Sequence, residues 1–155
     1  MDFMIWAARV SHLFGVIVWL GTLLYQGAVI LPLWLSGQQG KDDRVEQALV
    51  KGAPFLWMGL TTVFVTGVLL MLFSTRFVLF SYHDWWSVAL GLKQIAFLFM
   101  AFFTIGLARL TAGFREILDT QGASMAGVLR NRIVQFNRYS IVFGIAALLL
   151  ASSMR

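Results

Sequence analysis

Cysteine is absent from this chain of 155 residues. Its absence excludes disulfide bonds, thiolate metal ligands and a cysteine nucleophile. Charged residues are also scarce, at 12% against 59% hydrophobic residues, whereas a soluble domain carries about 25% charged residues. The composition therefore indicates a membrane protein.

Acidic residues number only seven, and none lies inside a long apolar block. This distribution argues against a proton-driven transporter with a buried carboxylate relay. The sequence also has no Walker motif, no His-Glu-x-x-His and no Gly-x-Ser-x-Gly, so nothing in it indicates a nucleotide-driven pump or a stand-alone hydrolase. The net charge of +5 comes from scattered basic residues, a pattern that reports membrane orientation rather than nucleic-acid binding.

Four apolar blocks predict four transmembrane helices, at about residues 3–35, 53–74, 85–110 and 134–153. A bilayer crossing takes about 20 helical residues, and the apolar runs are continuous, unlike the alternating strands of a barrel. The fold class is therefore all-α, an integral membrane four-helix bundle forming a single domain. The first block is too long for a signal peptide and lacks a small-residue cleavage site, so we expect it to remain in the mature protein.

The stretch from about 112 to 137 mixes charged and apolar side chains. Such a stretch forms either an amphipathic helix on the membrane surface or a solvated extension of the third and fourth helices. The mixed charge pattern favours the extension.

Basic residues predict the orientation, because cytoplasmic loops carry the excess of Lys and Arg. Eight lie on the side that holds the loops after the first and third helices, and four lie on the side where the chain starts. Both termini are therefore expected on the outer, periplasmic side. The eight on the loop side are Lys41, Arg44, Lys51, Arg109, Arg115, Arg130, Arg132 and Arg138. The four on the side where the chain starts are Arg9, Arg76, Lys93 and Arg155.

His12 is the histidine set within a membrane span, where an ionisable side chain is costly and marks a candidate functional site. Neutral imidazole is a common ligand of metals and of haem iron. Arg9, Gly15 and Trp19 share its helical face. Gly15 would let a flat macrocycle approach the backbone, and Arg9 would pair with a propionate. The alternative is a neutral histidine hydrogen-bonded to a facing helix, and the residues alone leave both open.

Three further residues fall at the same depth on the outer side. Lys93 extends to the interface, pairs with a carboxylate of a ligand or delivers protons. His83 is either a solvent-exposed loop residue or a second axial ligand. Met71 is either apolar filler or a thioether ligand.

The first helix, Ser11 to Gly21, contains a histidine followed seven residues later by Trp-x-Gly. With the Trp86 to Lys93 segment and the Phe136-Asn137 pair, it resembles the membrane superfamily that joins CopD-type copper-resistance domains and HemJ-type protoporphyrinogen oxidases. The resemblance covers nearly the whole chain as a succession of four helices.

This resemblance implies a four-helix bundle in which His12 matches the family's helix-1 histidine and Lys93 its helix-3 lysine. HemJ-type proteins bind haem b and oxidise protoporphyrinogen, and CopD-type domains are linked to copper import or tolerance. After Gly21 this chain lacks the Tyr-Leu-Pro-Arg-Leu run ending in Tyr-His that a HemJ-type protein would have. The resemblance therefore leaves that oxidase reaction unassigned.

The leading hypothesis is a multi-pass protein of a bacterial inner membrane that binds haem b and has an electron-transfer or oxidoreductase role. His12 would be an axial ligand, Arg9 and Lys93 would neutralise propionates, and Gly15 and Trp19 would line the site. Its partners would be the bilayer, a quinone or a redox protein, within a homo-oligomer or a larger complex.

Two alternatives remain open. The first is copper transport or tolerance through His12, His83 and Met71, because imidazole and thioether ligands suit Cu(I). The second is a cofactor-free structural subunit of a membrane complex, in which His12 is a packed polar residue.

Overall fold

A computed structural model describes residues 2–36, 42–73, 85–114, 116–117 and 125–153. The described part of the chain is all-helical, and four of its helices are long and apolar enough to cross a membrane. The prediction of an all-α protein with four helices long and apolar enough to span a membrane is confirmed for the described residues. The helices are α1 (Asp2–Tyr25), a π-helical segment (Gln26–Ile30), α2 (Leu31–Leu35), α3 (Asp42–Leu72), α4 (Trp85–Ala112) and α5 (Ala126–Ser153).

Two helices begin earlier than hydropathy predicts. The helix predicted from about residue 53 begins at Asp42, and the helix predicted from about residue 134 begins at Ala126. Hydropathy detects only the apolar turns that lie in lipid, whereas backbone hydrogen bonding continues through the polar turns beyond them. These turns bury Val45 and Leu129 in the core, which accounts for their helical structure outside the apolar block.

The early turns of α3 and α5 and the end of α4 build a packed end of the bundle, which we call the loop end. Trp34 lies at the centre of the loop end and is 1% exposed. The Phe114 ring meets the Trp34 ring edge-on at 4.8 Å between centroids, and the Arg130 guanidinium lies 5.1 Å from the Trp34 ring centroid. Ile133 is fully buried in the same cluster. Within the described part of the 112–137 stretch, α5 extends back to Ala126, and Phe114, Leu129 and Ile133 are buried rather than solvated.

A belt of large apolar side chains covers the outside of the bundle. Exposure of these side chains to water would be unfavourable, whereas their contact with lipid chains is favourable. The belt supports the prediction of a protein surrounded by a bilayer. Its most exposed members in the four spans include Phe14, Leu72, Leu98, Phe102 and Leu149.

The helices pack as two antiparallel pairs, with α1 against α3 and α4 against α5, and contacts between the pairs are fewer. Along this α1–α3 seam, large residues of α1 and of the π-helical segment that continues it face small or hydroxyl residues of α3, at intervals of seven residues. The three layers are His12 with Thr66, Trp19 with Gly59, and Gln26 with Gly52. A seven-residue repeat keeps two helices in contact over several turns, and small residues let their backbones approach in lipid.

Trp19 forms the middle layer of this seam and also contacts the other helix pair. A Cβ atom placed at Gly59 of α3 would lie 2.6 Å from the Trp19 Cβ, and one at Gly144 of α5 would lie 2.6 Å from the Trp19 Cζ3. The indole Nε1–H donates to the Thr104 hydroxyl of α4 at 3.2 Å. One side chain, 1% exposed, therefore touches all three neighbouring long helices.

Replacing Gly59 with alanine tests the close approach in the middle layer. Gly59→Ala should lower the free energy of unfolding by about 1–3 kcal/mol, because the added methyl group overlaps Trp19. Gly21→Ala is the matched control: nothing lies within 4 Å of a Cβ there, and alanine should gain about 0.5–1 kcal/mol of helix propensity. Thermal unfolding in detergent measures both. Equal midpoints for the two variants would contradict the packing described here.

Candidate functional site

The candidate site lies at the end of the bundle where the chain starts, which we call the terminal end. His12 of α1 is part-buried, and its Nδ1 atom lies 2.9 Å from the hydroxyl oxygen of Thr66 on α3. Thr66 is 8% exposed. A hydrogen bond between two helices inside a membrane satisfies two polar groups that lipid cannot satisfy.

The hydrogen bonds around Thr66 favour one tautomer of His12. The Thr66 hydroxyl has one proton, and it donates that proton to the backbone carbonyl of Thr62, one turn earlier. The hydroxyl oxygen must then accept from His12, so Nδ1 of the imidazole carries the proton. In that tautomer of the neutral ring Nε2 is unprotonated, and its lone pair can bind a ligand or a proton.

Small residues hold α1 and α3 together around this hydrogen bond. A Cβ atom at Gly67 would lie 3.4 Å from His12 Cε1, so the imidazole rests on the α3 backbone at that position. On α1, a Cβ atom at Gly15 would lie 3.0 Å from Thr62 and 3.1 Å from Val63. The space beside Gly15, which a macrocycle would occupy in the sequence-based hypothesis, is therefore filled by α3.

Lys93 of α4 is the second ionisable group at this site. It is part-buried and close enough to His12 for the two side chains to interact electrostatically. A positive charge on Lys93 opposes binding of a bare metal cation at His12 and favours a ligand that carries negative charge. The site therefore combines a free imidazole nitrogen with a cation supplied by a different helix.

Of the candidate metal ligands apart from His12, the structure describes Met71 but not His83. The sulfur of Met71 accepts a hydrogen bond from Gln94 Nε2 at 3.1 Å, and His83 lies outside the described residues. Within the residues that the structure describes, no group of three or more His, Cys, Asp or Glu side chains could hold a metal ion.

The remaining candidates are placed apart from the His12 ring. Arg9 is exposed, one turn before His12 on α1. Trp19 lies two turns further into the bundle, and its indole N–H is occupied by Thr104. The packing thus gives Gly15 and Trp19 structural roles in holding the helices around the site.

Three buried polar residues are not among the site residues predicted from the sequence. Thr66 fixes the His12 ring, and Asn137 of α5 is 2% exposed and donates to the Leu23 carbonyl oxygen at 3.2 Å. Gln26 is 3% exposed. The signal that could have found them is their polarity within apolar blocks, since polar side chains there face other helices rather than lipid.

Comparisons of the chain with protein-family models, with curated proteins and with solved structures returned no match.

Replacing Thr66 tests the hydrogen bond to His12. Thr66→Val keeps the shape but removes the acceptor of the Nδ1 proton, so the free energy of unfolding should fall by about 0.5–2 kcal/mol. Thr66→Ser keeps the hydroxyl and should recover most of that loss. Thr61→Val, at an exposed position of the same helix, is the control and should change little. A Thr66→Val protein as stable as the control would show that the bond contributes nothing.

Proposed function

We propose that this chain is a membrane haem protein with an electron-transfer or oxidoreductase role, in which His12 is the axial ligand of haem b. The observation that carries the proposal is the 2.9 Å contact between His12 Nδ1 and the Thr66 hydroxyl oxygen, which orients the ring. A histidine ligand donates its other ring N–H to a neighbouring acceptor, and His12 donates Nδ1–H to Thr66. The likeness of the Ser11 to Gly21 motif to CopD-type and HemJ-type proteins supports the same assignment.

The donor set at the terminal end suits haem. His12 Nε2 would bind the iron, Thr66 would hold the ring in orientation, and the cations of Lys93 and Arg9 would neutralise propionates. The packing beside Gly15 excludes the macrocycle from the α1–α3 seam. The macrocycle would lie on the side from which Lys93 of α4 approaches, where the two helix pairs make fewer contacts. Haem supplies a one-electron couple whose potential depends on the axial ligand and on burial.

Copper handling has less support from the same residues. Cu(I) would need His12, Met71 and His83 together. The Met71 sulfur already accepts a hydrogen bond from Gln94, and the charge of Lys93 repels a cation at His12. The same positive charge attracts a ligand that carries a carboxylate.

The chain's own residues would protect the site and define its access. The lipid-facing belt and the paired helices keep water from the bundle, which strengthens electrostatic interactions inside it. Electrons would be exchanged with a quinone or a redox protein, from a homo-oligomer or a larger complex. The location would be a bacterial inner membrane. The excess of basic residues at the loop end supports a cytoplasmic loop end and a periplasmic terminal end.

The test is a reduced-minus-oxidised visible spectrum of the detergent-purified protein after reconstitution with haem b. The wild type should show a Soret band and an α-band, and His12→Ala should lose both. Thr66→Val should weaken haem affinity by about 10–100-fold, as loss of the partner of a ligand histidine does. Met71→Leu is the control, and retention of both bands is expected.

Two results would overturn the proposal. A colourless protein that binds one copper ion per chain, with loss of copper in Met71→Leu, would establish the copper alternative. A wild-type protein that binds neither group, although it folds with normal stability, would leave a structural subunit.

A further inference from the structure

A second candidate binding site lies at the other end of the α1–α3 seam. A cleft of about 490 Å³ opens between α1, the π-helical segment and α3. Tyr25, Lys51 and Phe55 at its rim are exposed, whereas Gln26 is 3% exposed. The cleft is therefore open to the outside and has the Gln26 amide at its base. Its lining is Val18, Gly21, Thr22, Tyr25, Gln26, Ala48, Lys51, Gly52 and Phe55.

The amide of Gln26 is incompletely satisfied. Its Oε1 atom is buried and has no hydrogen-bond partner among the described residues. Leaving a buried polar atom without a partner costs free energy, and such atoms are rare in native structures. Its Nε2 atom lies against Gly52, where a Cβ atom would be only 2.7 Å away. Glycine at that position therefore leaves room for the amide to reach the cleft.

The cleft lies at the level of the lipid headgroups. The apolar part of α3 between residues 53 and 72 rises about 30 Å, which equals the thickness of the hydrocarbon core. Lys51 and Gly52 come directly before it, and the exposed Tyr25 is typical of the interface. Val18 and Phe55 extend the lining toward the hydrocarbon.

We infer that this cleft binds an anionic phospholipid whose headgroup carries a hydroxyl group, of the phosphatidylglycerol class. The Lys51 ammonium would pair with the phosphate, and acyl chains would follow the apolar lining. The Gln26 amide would turn its buried Oε1 atom toward the cleft and accept a hydrogen bond from a headgroup hydroxyl. A phosphatidylcholine headgroup has no hydroxyl donor and no net negative charge. The inference concerns the loop end and is independent of haem at His12.

Lipid-dependent thermal stability tests this inference. The full-length protein is unfolded in detergent with added phosphatidylglycerol or with the same amount of phosphatidylcholine. Phosphatidylglycerol should raise the midpoint of the wild type more than phosphatidylcholine, because a ligand that binds the folded state stabilises it. Lys51→Gln and Gln26→Leu should each weaken the apparent affinity for phosphatidylglycerol by about tenfold.

Two control variants separate specific binding from general charge and polarity. Arg109→Gln removes an exposed cation near the same membrane surface, and Gln135→Leu removes an exposed amide on α5. Both should keep the wild-type response. Without added lipid, Gln26→Leu should be at least as stable as the wild type, because it removes the unsatisfied Oε1 atom.

Several outcomes would overturn the inference. Equal responses of the wild type to the two lipids, or an unchanged response in Lys51→Gln, would exclude the proposed recognition. Equal loss in Arg109→Gln would indicate charge attraction without a site. Soluble glycerol phosphate that stabilises as strongly as the lipid, at equal concentration, would make the cleft a site for a free phosphate ester.

Discussion

The Trp19 side chain imposes the constraint on which the rest of the bundle depends. Inside a membrane its indole N–H must find a partner within the protein, and Thr104 of α4 provides it. The ring can reach that hydroxyl only because Gly59 and Gly144 leave room for it on the two other helices. One residue of α1 thus fixes how the α1–α3 pair meets the α4–α5 pair, although direct contacts between the pairs are few.

The same register places both candidate sites. His12 lies seven residues before Trp19 and Gln26 seven residues after it, and their α3 partners Thr66 and Gly52 lie at matching distances from Gly59. The layer at the terminal end offers an imidazole nitrogen beside the cation of Lys93. The layer at the loop end offers an unsatisfied amide beside Lys51. Each site pairs a neutral polar group with a positive charge, which suits an anionic, amphipathic ligand in both cases.

Much of the fold could be predicted from the sequence, because lipid requires long continuous apolar helices. The four spans and the all-α class follow from that requirement alone. The early start of α3 at Asp42 and the buried environment of Trp34 could not be predicted, because they depend on tertiary packing outside the apolar blocks. His12 and Lys93 stand out as ionisable groups in apolar runs. Their partners do not, since nothing in one sequence pairs Thr66 with His12 across fifty-four positions.

The central claim is that His12 holds its proton on Nδ1 and leaves Nε2 free. The chain has two histidines, so a His83→Gln protein labelled with ¹⁵N-histidine reports on His12 alone. ¹⁵N NMR of the haem-free protein in detergent distinguishes a protonated from an unprotonated ring nitrogen. The hydrogen bonds predict a protonated Nδ1 and an unprotonated Nε2. A ring protonated on Nε2 instead would contradict the account, because no lone pair would then be available where the site needs one.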